Sequence, residues 1–222
     1  MTLLVFLAAT LADDRGLFLD QTWRLGPEIC AFTSELYYGG RLVSRDGLEA
    51  QVVRGPTALA GSGLRFVPVE HFGNTNESTE EVEAVAGLVS ELLSGNWSWV
   101  DEQAEESVVT LSDLLIVAPY NAQVALLREA LPEGSRIGTV DKFQGQEAAI
   151  VIFSPASSSA EDAPRGMEFL YSPNRLNVAT SRARCLAVIV GSPKLFGPHC
   201  KSVRQMKLAN GFCRFAEMAR GD

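Results

Sequence analysis

Residues 114–131 read LLIVAPYNAQVALLREAL, and this stretch decides the fold class. The apolar run Leu114–Ala118 has the length and composition of a strand that is buried on both faces. Residues 121–131 then have the apolar spacing of an amphipathic helix, which Pro132 and Gly134 end. A buried strand that leads directly into a helix is the repeating unit of α/β proteins, in which helices cover a parallel sheet.

The same alternation of strands and helices extends to both sides of this stretch. Further strands are predicted over residues 16–19, 64–69, 136–140, 149–153 and 185–190. Further helices are predicted over residues 27–38, 78–93, 174–184 and 202–219. The predicted fold class is therefore α/β, with a mostly parallel, doubly wound sheet. In such sheets, ligands meet the loops beyond the carboxyl ends of the strands.

We predict a single domain over residues 1–222, a length that can bury a substantial core. Irregular or acidic insertions are predicted at residues 41–63 and 94–112. Residues 154–166 are rich in Ser, Ala and Pro, which predicts a mobile loop, and the helix at residues 202–219 ends the domain.

Charge and composition restrict the function and the location. The net charge of −8 argues against a simple basic nucleic-acid binder, but residues 66–127 hold eleven Asp or Glu and no Lys or Arg, so the acidity belongs to one segment. No apolar run is long enough to span a membrane. Residues 2–12 are apolar like part of a signal peptide, but the first basic residue is Arg15, which follows them. The four cysteines form no CxxC pair, so a reducing cytoplasm is expected.

Several catalytic motifs are absent from the sequence. There is no GxxxxGK[ST] loop and no GxGxxG loop to cradle phosphates. With His71 and His199 as the only imidazoles, neither a Ser-His-Asp set nor a metal site is predicted. An isolated enzyme is therefore hard to support.

Three segments stand out beside predicted strands. They are TWRLGPEI at residues 22–29, IGTVDKFQGQE at residues 137–147 and NRLNVATSRAR at residues 174–184. Taken singly, each has an ordinary explanation, because arginines are mostly exposed and Asp or Gln can simply cap a helix. Arg175 and Arg182 are seven residues apart, which predicts that they share one solvated helix face.

Together the three segments resemble motifs IV, V and VI of superfamily 1 helicases, in the subgroup of the nonsense-decay helicases and the replication nuclease–helicases. APYNAQ at residues 118–123 resembles the Pro-Tyr-x-x-Gln element of the same family, and the order and spacing match over residues 17–197. The resemblance implies a RecA-like helicase domain 2, a P-loop NTPase-like fold without a P-loop. Residues 163–208 also resemble bacterial fusion proteins in which a RecB-like nuclease precedes such a helicase.

In this family ATP lies between two RecA-like domains. The resemblance implies that an N-terminal P-loop domain holds ATP and Mg²⁺, and that this chain supplies positive charge from across the cleft. Arg24 and Arg182 match the arginine fingers, which stabilise the charge that develops during phosphoryl transfer. This interpretation requires the two guanidinium groups to lie on the same side of the sheet, with neither buried in an internal ion pair.

The remaining nucleotide contacts are implied by the same match. Trp23 stands where the family has a tyrosine that stacks on adenine, and an indole offers a larger face for stacking. Glu147 matches a residue that contacts the ribose. Gln144 and Gly145 match the turn that approaches the phosphates and couples ATP to nucleic acid. Thr22, which replaces the usual Gln, departs from the family pattern.

Single-stranded DNA or RNA is the second partner that the resemblance implies. Five residues match positions whose backbone or hydroxyl groups contact the phosphodiester chain, namely Pro119, Tyr120, Asn121, Thr139 and Val140. The acidic stretch 70–113 is then expected to face away from the strand. Two alternatives remain open: a degenerate RecA-like module that binds a partner without catalysis, and an unrelated α/β enzyme with a deep, closed pocket.

Overall fold

The computed structural model describes residues 17–143 and 145–219. Its strands are β1 (Gln21–Thr22), β2 (Val43–Ser44), β3 (Val52–Arg54), β4 (Gly63–Pro68), β5 (Ser98–Val100), β6 (Glu106–Val108), β7 (Leu114–Ala118), β8 (Ile137–Thr139), β9 (Ala148–Phe153) and β10 (Ala183–Gly191). Its α-helices are α1 (Pro27–Tyr37), α2 (Thr79–Leu92), α3 (Asn121–Ala130), α4 (Met167–Leu170), α5 (Pro173–Thr180) and α6 (Val203–Ala219).

The main sheet has five strands, all parallel, in the order β4-β10-β9-β7-β8. Every residue of β7 and of β9 is buried, because helices cover both faces of the sheet. One core cluster joins the sheet to α1, α5 and α6 through residues such as Phe32, Leu176 and Phe212. The other joins it to α2 and α3 through Val85 and Leu127. The predicted α/β class with a mostly parallel, doubly wound sheet is therefore confirmed.

The boundaries of several elements differ from the prediction. Leu17 and Leu19, in the predicted strand 16–19, are exposed and belong to no strand, since no neighbouring strand pairs with them. The helix predicted over residues 174–184 is α5, which ends at Thr180, because Ala183 already pairs with Ala148 of β9. The helix is therefore too short to carry residue 182 on its surface.

The acidic segment at residues 94–112 contains a hairpin. Strands β5 and β6 pair antiparallel, and β3 adds to β5, so a small three-stranded sheet forms beside the main one. Trp97 is only 1% exposed and anchors this sheet to the core. Charge alone predicted an irregular insertion here, because it does not register the few buried apolar and aromatic residues on which this small sheet packs.

The segment at residues 154–166 has no strand, and its first residues are buried. Ser154, Ser157 and Ser158 are at most 1% exposed. Their hydroxyl groups are hydrogen-bonded to residues of the segment before α2, of α2 itself or of the β7–α3 connection, so the serines that suggested a loop are packed in the interior. Within the described part of the chain, no helix is long and apolar enough to cross a membrane.

Candidate functional site

Two adjacent strands bring the candidates for nucleotide contacts together. Ala183 of β10 pairs with Ala148 of β9, and the backbone N–H of Ala148 donates to the carbonyl of Arg182 at 3.1 Å. Glu147 and Arg182 each immediately precede one of these strands. Because the strands are parallel, both residues lie at the amino edge of the sheet. The loop between β1 and α1 carries Arg24 to the same edge, where it pairs with Glu147.

The carboxylate of Glu147 lies between two guanidinium groups. The Nε of Arg24 donates to Oε2, and the Nε of Arg184 donates to Oε1 at 3.0 Å. Burial would raise the pKa of the Glu147 carboxyl, but the hydrogen bonds and charges of Arg184 and Arg24 outweigh burial and hold this pKa below its usual range. The side chains of Arg24 and Glu147 are 38% and 30% exposed, so their ion pair is open to solvent.

Arg182 lies beside this pair and is less completely hydrogen-bonded. Its Nη1 donates to the carbonyl of Gln146 at 3.3 Å, while its buried Nε has no hydrogen-bond partner among the described residues. Burial, followed by the positive charge of Arg24, lowers the pKa of Arg182. Arg24 also donates through Nη1 to the carbonyl of Ser181 at 3.4 Å. An anion that binds beside Arg24 would reduce the repulsion between the two arginines.

An open cleft of about 450 Å³ adjoins Arg24, while Arg182 is buried next to it, 8% exposed. Its lining residues are Gln21, Thr22, Trp23, Arg24, Leu25, Thr33, Tyr38, Leu42, Glu147 and Ser181. Trp23 is 68% exposed at this cleft, and the guanidinium carbon of Arg45 lies 3.8 Å from the centroid of its ring. The indole is therefore not part of the core.

The turn before β9 accounts for the two remaining nucleotide candidates. Gly145 is exposed and has a φ of 79°, a left-handed conformation that favours glycine, and no atom lies within 4 Å of the position that a Cβ would take. The N–H of Gln146 donates to the carbonyl of Phe143 at 3.0 Å and closes the turn. Gln144 lies outside the described residues.

The five candidates for strand contacts lie at the other edge of the sheet. Pro119, Tyr120 and Asn121 follow β7, whereas Thr139 ends β8 and Val140 follows it. The structure thus places the candidate nucleotide contacts and the candidate strand contacts at opposite edges of the sheet. The expectation that ligands meet the carboxyl ends of the strands fits only the five strand candidates. The amino-edge cluster departs from it because its charged residues precede the strands.

Burial limits what these five side chains can do. Pro119, Tyr120 and Val140 are buried, Thr139 is half-buried, and only Asn121 is exposed. The hydroxyl of Tyr120 accepts from that of Ser157 at 3.4 Å. Contacts from the buried residues are therefore restricted to the backbone.

The acidic stretch 70–113 does not face away from this edge along its whole length. The backbone N–H of Asn74 donates to the hydroxyl of Ser158 at 2.9 Å, and Ser157 donates to the carbonyl of Thr75. The beginning of the stretch therefore lies beside Tyr120. The chain enters α2 from the carboxyl end of β4, which fixes this position.

Two functional candidates were missed in the sequence. Arg184 contacts Glu147 through both Nε and Nη2, although it was quoted only as the last residue of a motif. Arg45 was not considered, because no sequence pattern links it to Trp23.

Arg175 and Arg182 do not share a helix face, contrary to the prediction, since α5 ends between them and Arg175 lies instead against Phe169. No group of three or more potential metal ligands occurs among the residues that the structure describes.

A parallel α/β domain with an arginine cluster at the amino edge of its sheet has the character of a helicase motor domain. A family model described as "AAA domain" matches residues 3–194, which is most of the chain. The chain belongs to this AAA-domain family, and its relatives are superfamily 1 helicases.

Three relatives illustrate the similarity. The "DNA polymerase alpha-associated DNA helicase A" of Schizosaccharomyces pombe is 29% identical over 185 residues, which cover 78% of this chain and 27% of that protein. The "Probable RNA helicase armi" of Drosophila melanogaster is 40% identical over 206 residues, covering 78% and 16%. The "Regulator of nonsense transcripts 1 homolog" of the same organism is 28% identical over 207 residues, covering 80% and 15%. The chain thus spans only about a quarter or less of the length of these relatives.

Proposed function

We propose that this chain is the second RecA-like motor domain, domain 2A, of an ATP-dependent superfamily 1 helicase. The observation that carries the proposal is the position of Arg24 and Arg182 at one edge of the sheet. Arg24 donates to the carbonyl of Ser181, the residue before Arg182, and lines an open cleft. Neither guanidinium is buried in an internal ion pair: the partner of Arg24 is itself 30% exposed, and the Nε of Arg182 is free among the described residues.

In this proposal the two arginines act on ATP that another domain holds. The N-terminal RecA-like domain carries the P-loop and the ligands of Mg²⁺, while Arg24 and Arg182 approach the γ-phosphate from across the cleft. Phosphoryl transfer needs positive charge that is already positioned where negative charge develops, and guanidinium groups supply it without losing their proton. The exposed indole of Trp23 offers a face for the adenine ring.

Glu147 and the turn before it connect the cleft to the rest of the domain. Glu147 holds Arg24 and Arg184 and lies within reach of a ribose in the same cleft. Gly145 allows a ligand phosphate to approach the backbone closely, and Gln144 is proposed to couple this turn to the bound strand. The turn begins just after Thr139 and Val140, so one short segment links the nucleotide cleft to the strand side.

Single-stranded DNA or RNA is the proposed track, and Asn121 and Thr139 provide its accessible polar side chains. The domain is proposed to move against its P-loop partner when ATP bridges the two. The resemblance of residues 163–208 to nuclease–helicase fusions supports a RecB-like nuclease as a further partner.

The test uses a protein in which this chain is joined to its P-loop domain. Arg182→Ala should leave ATP affinity nearly unchanged and lower strand-stimulated hydrolysis by roughly 10³-fold or more, the typical contribution of an arginine finger. Arg214→Ala is the matched control, because Arg214 pairs with Glu35 on the surface of α6. Normal turnover by Arg182→Ala would refute the proposal and favour a non-catalytic binding module. The chain by itself should hydrolyse no ATP.

A further inference from the structure

Two arginines lie against one phenylalanine near the carboxyl edge of the sheet. The guanidinium carbon of Arg165 lies 4.0 Å from the centroid of the Phe169 ring, and that of Arg175 lies 3.9 Å from the same centroid. Phe169 belongs to the short helix α4, and Arg175 to the first turn of α5. The two positive charges are therefore held within 8 Å of each other.

Neither guanidinium has a partner of opposite charge among residues 17–143 and 145–219. No hydrogen bond or ion pair joins either group to a described residue. Glu168 pairs with Arg204 and Asp162 accepts from the hydroxyl of Ser159, so these two acidic side chains are engaged elsewhere. The aromatic ring offsets part of the repulsion between the two arginines, and an anion that contacts both guanidinium groups would offset more.

The pair is continuous with the candidate strand site. The ring of Phe169 lies 5.4 Å from that of Tyr120, centroid to centroid, with the two planes inclined by 31°. Burial raises the pKa of the Tyr120 hydroxyl, and the charges of Arg165 and Arg175 oppose this rise, so both charges reach that hydroxyl. Tyr120 itself follows β7 and is adjacent to the exposed Asn121.

We propose that Arg165, Phe169 and Arg175 form a phosphate-binding surface for single-stranded nucleic acid, which extends the strand path beyond Asn121. The inference rests on the proposed helicase function and adds contacts that the family motifs did not assign. A guanidinium group pairs with two phosphate oxygens at once, and stacking on Phe169 holds both groups in place before the strand arrives. An acidic domain can bind a polyanion in this way, because the positive charge is concentrated at one place.

The experiment measures the affinity of the full 222-residue chain for fluorescein-labelled oligothymidylate and oligouridylate at several salt concentrations. Each phosphate contact on a single strand contributes about 0.7 to the slope of log affinity against log salt. The slope should therefore fall in magnitude by about 1.4 in Arg165→Gln/Arg175→Gln and by about 0.7 in each single variant. The control, Arg54→Gln/Arg214→Gln, removes the same charge from two arginines that already have carboxylate partners, and it should keep the slope of the unmodified chain.

Four further outcomes decide between explanations. Arg165→Lys/Arg175→Lys keeps both charges and should restore the slope; if it behaves like the glutamine variant, the effect is structural and the inference fails. If Arg165→Gln/Arg175→Gln and the control bind with equal salt slopes, the proposed phosphate-binding surface is overturned, and the proposed helicase function stands. No binding by the unmodified chain overturns both. Displacement by inorganic phosphate beyond that by chloride of equal ionic strength would indicate a site for free phosphate and overturn the inference.

Discussion

The Nε of Arg24 donates to Oε2 of Glu147, a residue 123 positions later in the chain. This contact joins the loop after β1 to the strand that begins with Ala148, and it sets the position of one proposed finger. It also gives Arg24 a counter-charge before any nucleotide binds. A triphosphate in the cleft would compete with Glu147 for the same guanidinium, so binding and the rearrangement of this ion pair are coupled.

Removal of the Glu147 charge should destabilise the domain by a small, pH-dependent amount. Glu147→Gln keeps the shape of the side chain but removes the carboxylate that Arg24 and Arg184 share, and it leaves Arg184 only its longer contact with Glu102 at 3.7 Å. The expected cost is about 1 kcal/mol, because the pairs are partly exposed. Because the pKa of Glu147 is lowered in the folded state, its stabilisation is present above the unfolded pKa, about 4.3, and is lost as the pH falls through the folded value.

Urea unfolding at neutral pH and near pH 3 measures this difference. The difference in the free energy of unfolding between the unmodified chain and Glu147→Gln should become smaller at the lower pH. Glu35→Gln, which removes a carboxylate from the more exposed pair with Arg214, serves as the control and should have the smaller effect at neutral pH. A gap that does not change with pH would contradict the lowered pKa.

The contact between Arg45 and Trp23 should be visible in fluorescence. Arg45→Gln removes the guanidinium from the indole face and exposes that face to solvent, at an expected cost of about 0.5–1 kcal/mol. Quenching of tryptophan emission by acrylamide should increase, and a further Trp23→Phe substitution should abolish the increase. Arg204→Gln, in a surface pair far along the chain, should leave quenching unchanged. Equal quenching in Arg45→Gln and the unmodified chain would show that the contact does not persist in solution.

Periodicity predicted most of the fold, and it failed where an element depends on a distant partner. The apolar run Leu114–Ala118 and the helix after it were predicted correctly because a buried strand and an amphipathic helix each have their own local pattern. Residues 17–19 are also apolar, yet no strand of the described residues pairs with them. The end of α5 is set by the pairing of Ala183 with Ala148, which the local sequence does not encode.

The site was predictable as a set of residues but not as an arrangement. Motif positions indicated Arg24, Glu147 and Arg182, which the structure brings together at one edge. The ion pair between Arg24 and Glu147 joins segments that are distant in the sequence, and no spacing rule gives it. The same limit applies to the contact of Arg175 with Phe169.

A buried hydrogen-bonded array was also missed, because the scarcity of histidine predicted no Ser-His-Asp set. His71 lies between the hydroxyl of Ser158, at 2.7 Å from Nδ1, and Oε1 of Glu81, at 3.0 Å from Nε2. All three side chains are at most 2% exposed, so no substrate can reach the serine. The array holds the segment after β9 against α2, and Glu81 also accepts from the backbone N–H of Ala156 at 2.8 Å.

The burial of Glu81 should make stability decrease as the pH rises. Burial raises the pKa of this carboxyl, although hydrogen bonds from His71, Ser154 and Ala156 oppose the rise. A raised folded pKa stabilises the protein below the unfolded pKa of about 4.3, and this contribution is lost as the pH rises through the folded value. Glu81→Gln mimics the protonated carboxyl, so its stability should depend less on pH above about 4.3.

Thermal unfolding of the unmodified chain and of Glu81→Gln from pH 4.5 to pH 8 measures how stability changes with pH. Glu83→Gln lies on the same helix with an exposed side chain and should unfold with the pH dependence of the unmodified chain. A steeper loss of stability with pH in Glu81→Gln than in the unmodified chain would mean that Glu81 is held in its charged form.

The contact between Gly55 and Trp97 should tolerate no added methyl group. A Cβ on Gly55 would overlap the six-membered ring of Trp97, which is 1% exposed and cannot move outward without leaving the core of the small sheet. Overpacking of this kind costs about 1–3 kcal/mol, so Gly55→Ala should lower the free energy of unfolding by that amount. Gly87→Ala is the matched control, because the same methyl group would meet no atom within 4 Å in the middle of α2. It should instead stabilise the chain by about 0.5–1 kcal/mol, since alanine favours the helix. If both variants unfolded at the same urea concentration, Trp97 would not be the rigid anchor of the hairpin, and the packing of β3 and β5 would have to be looser than their burial indicates.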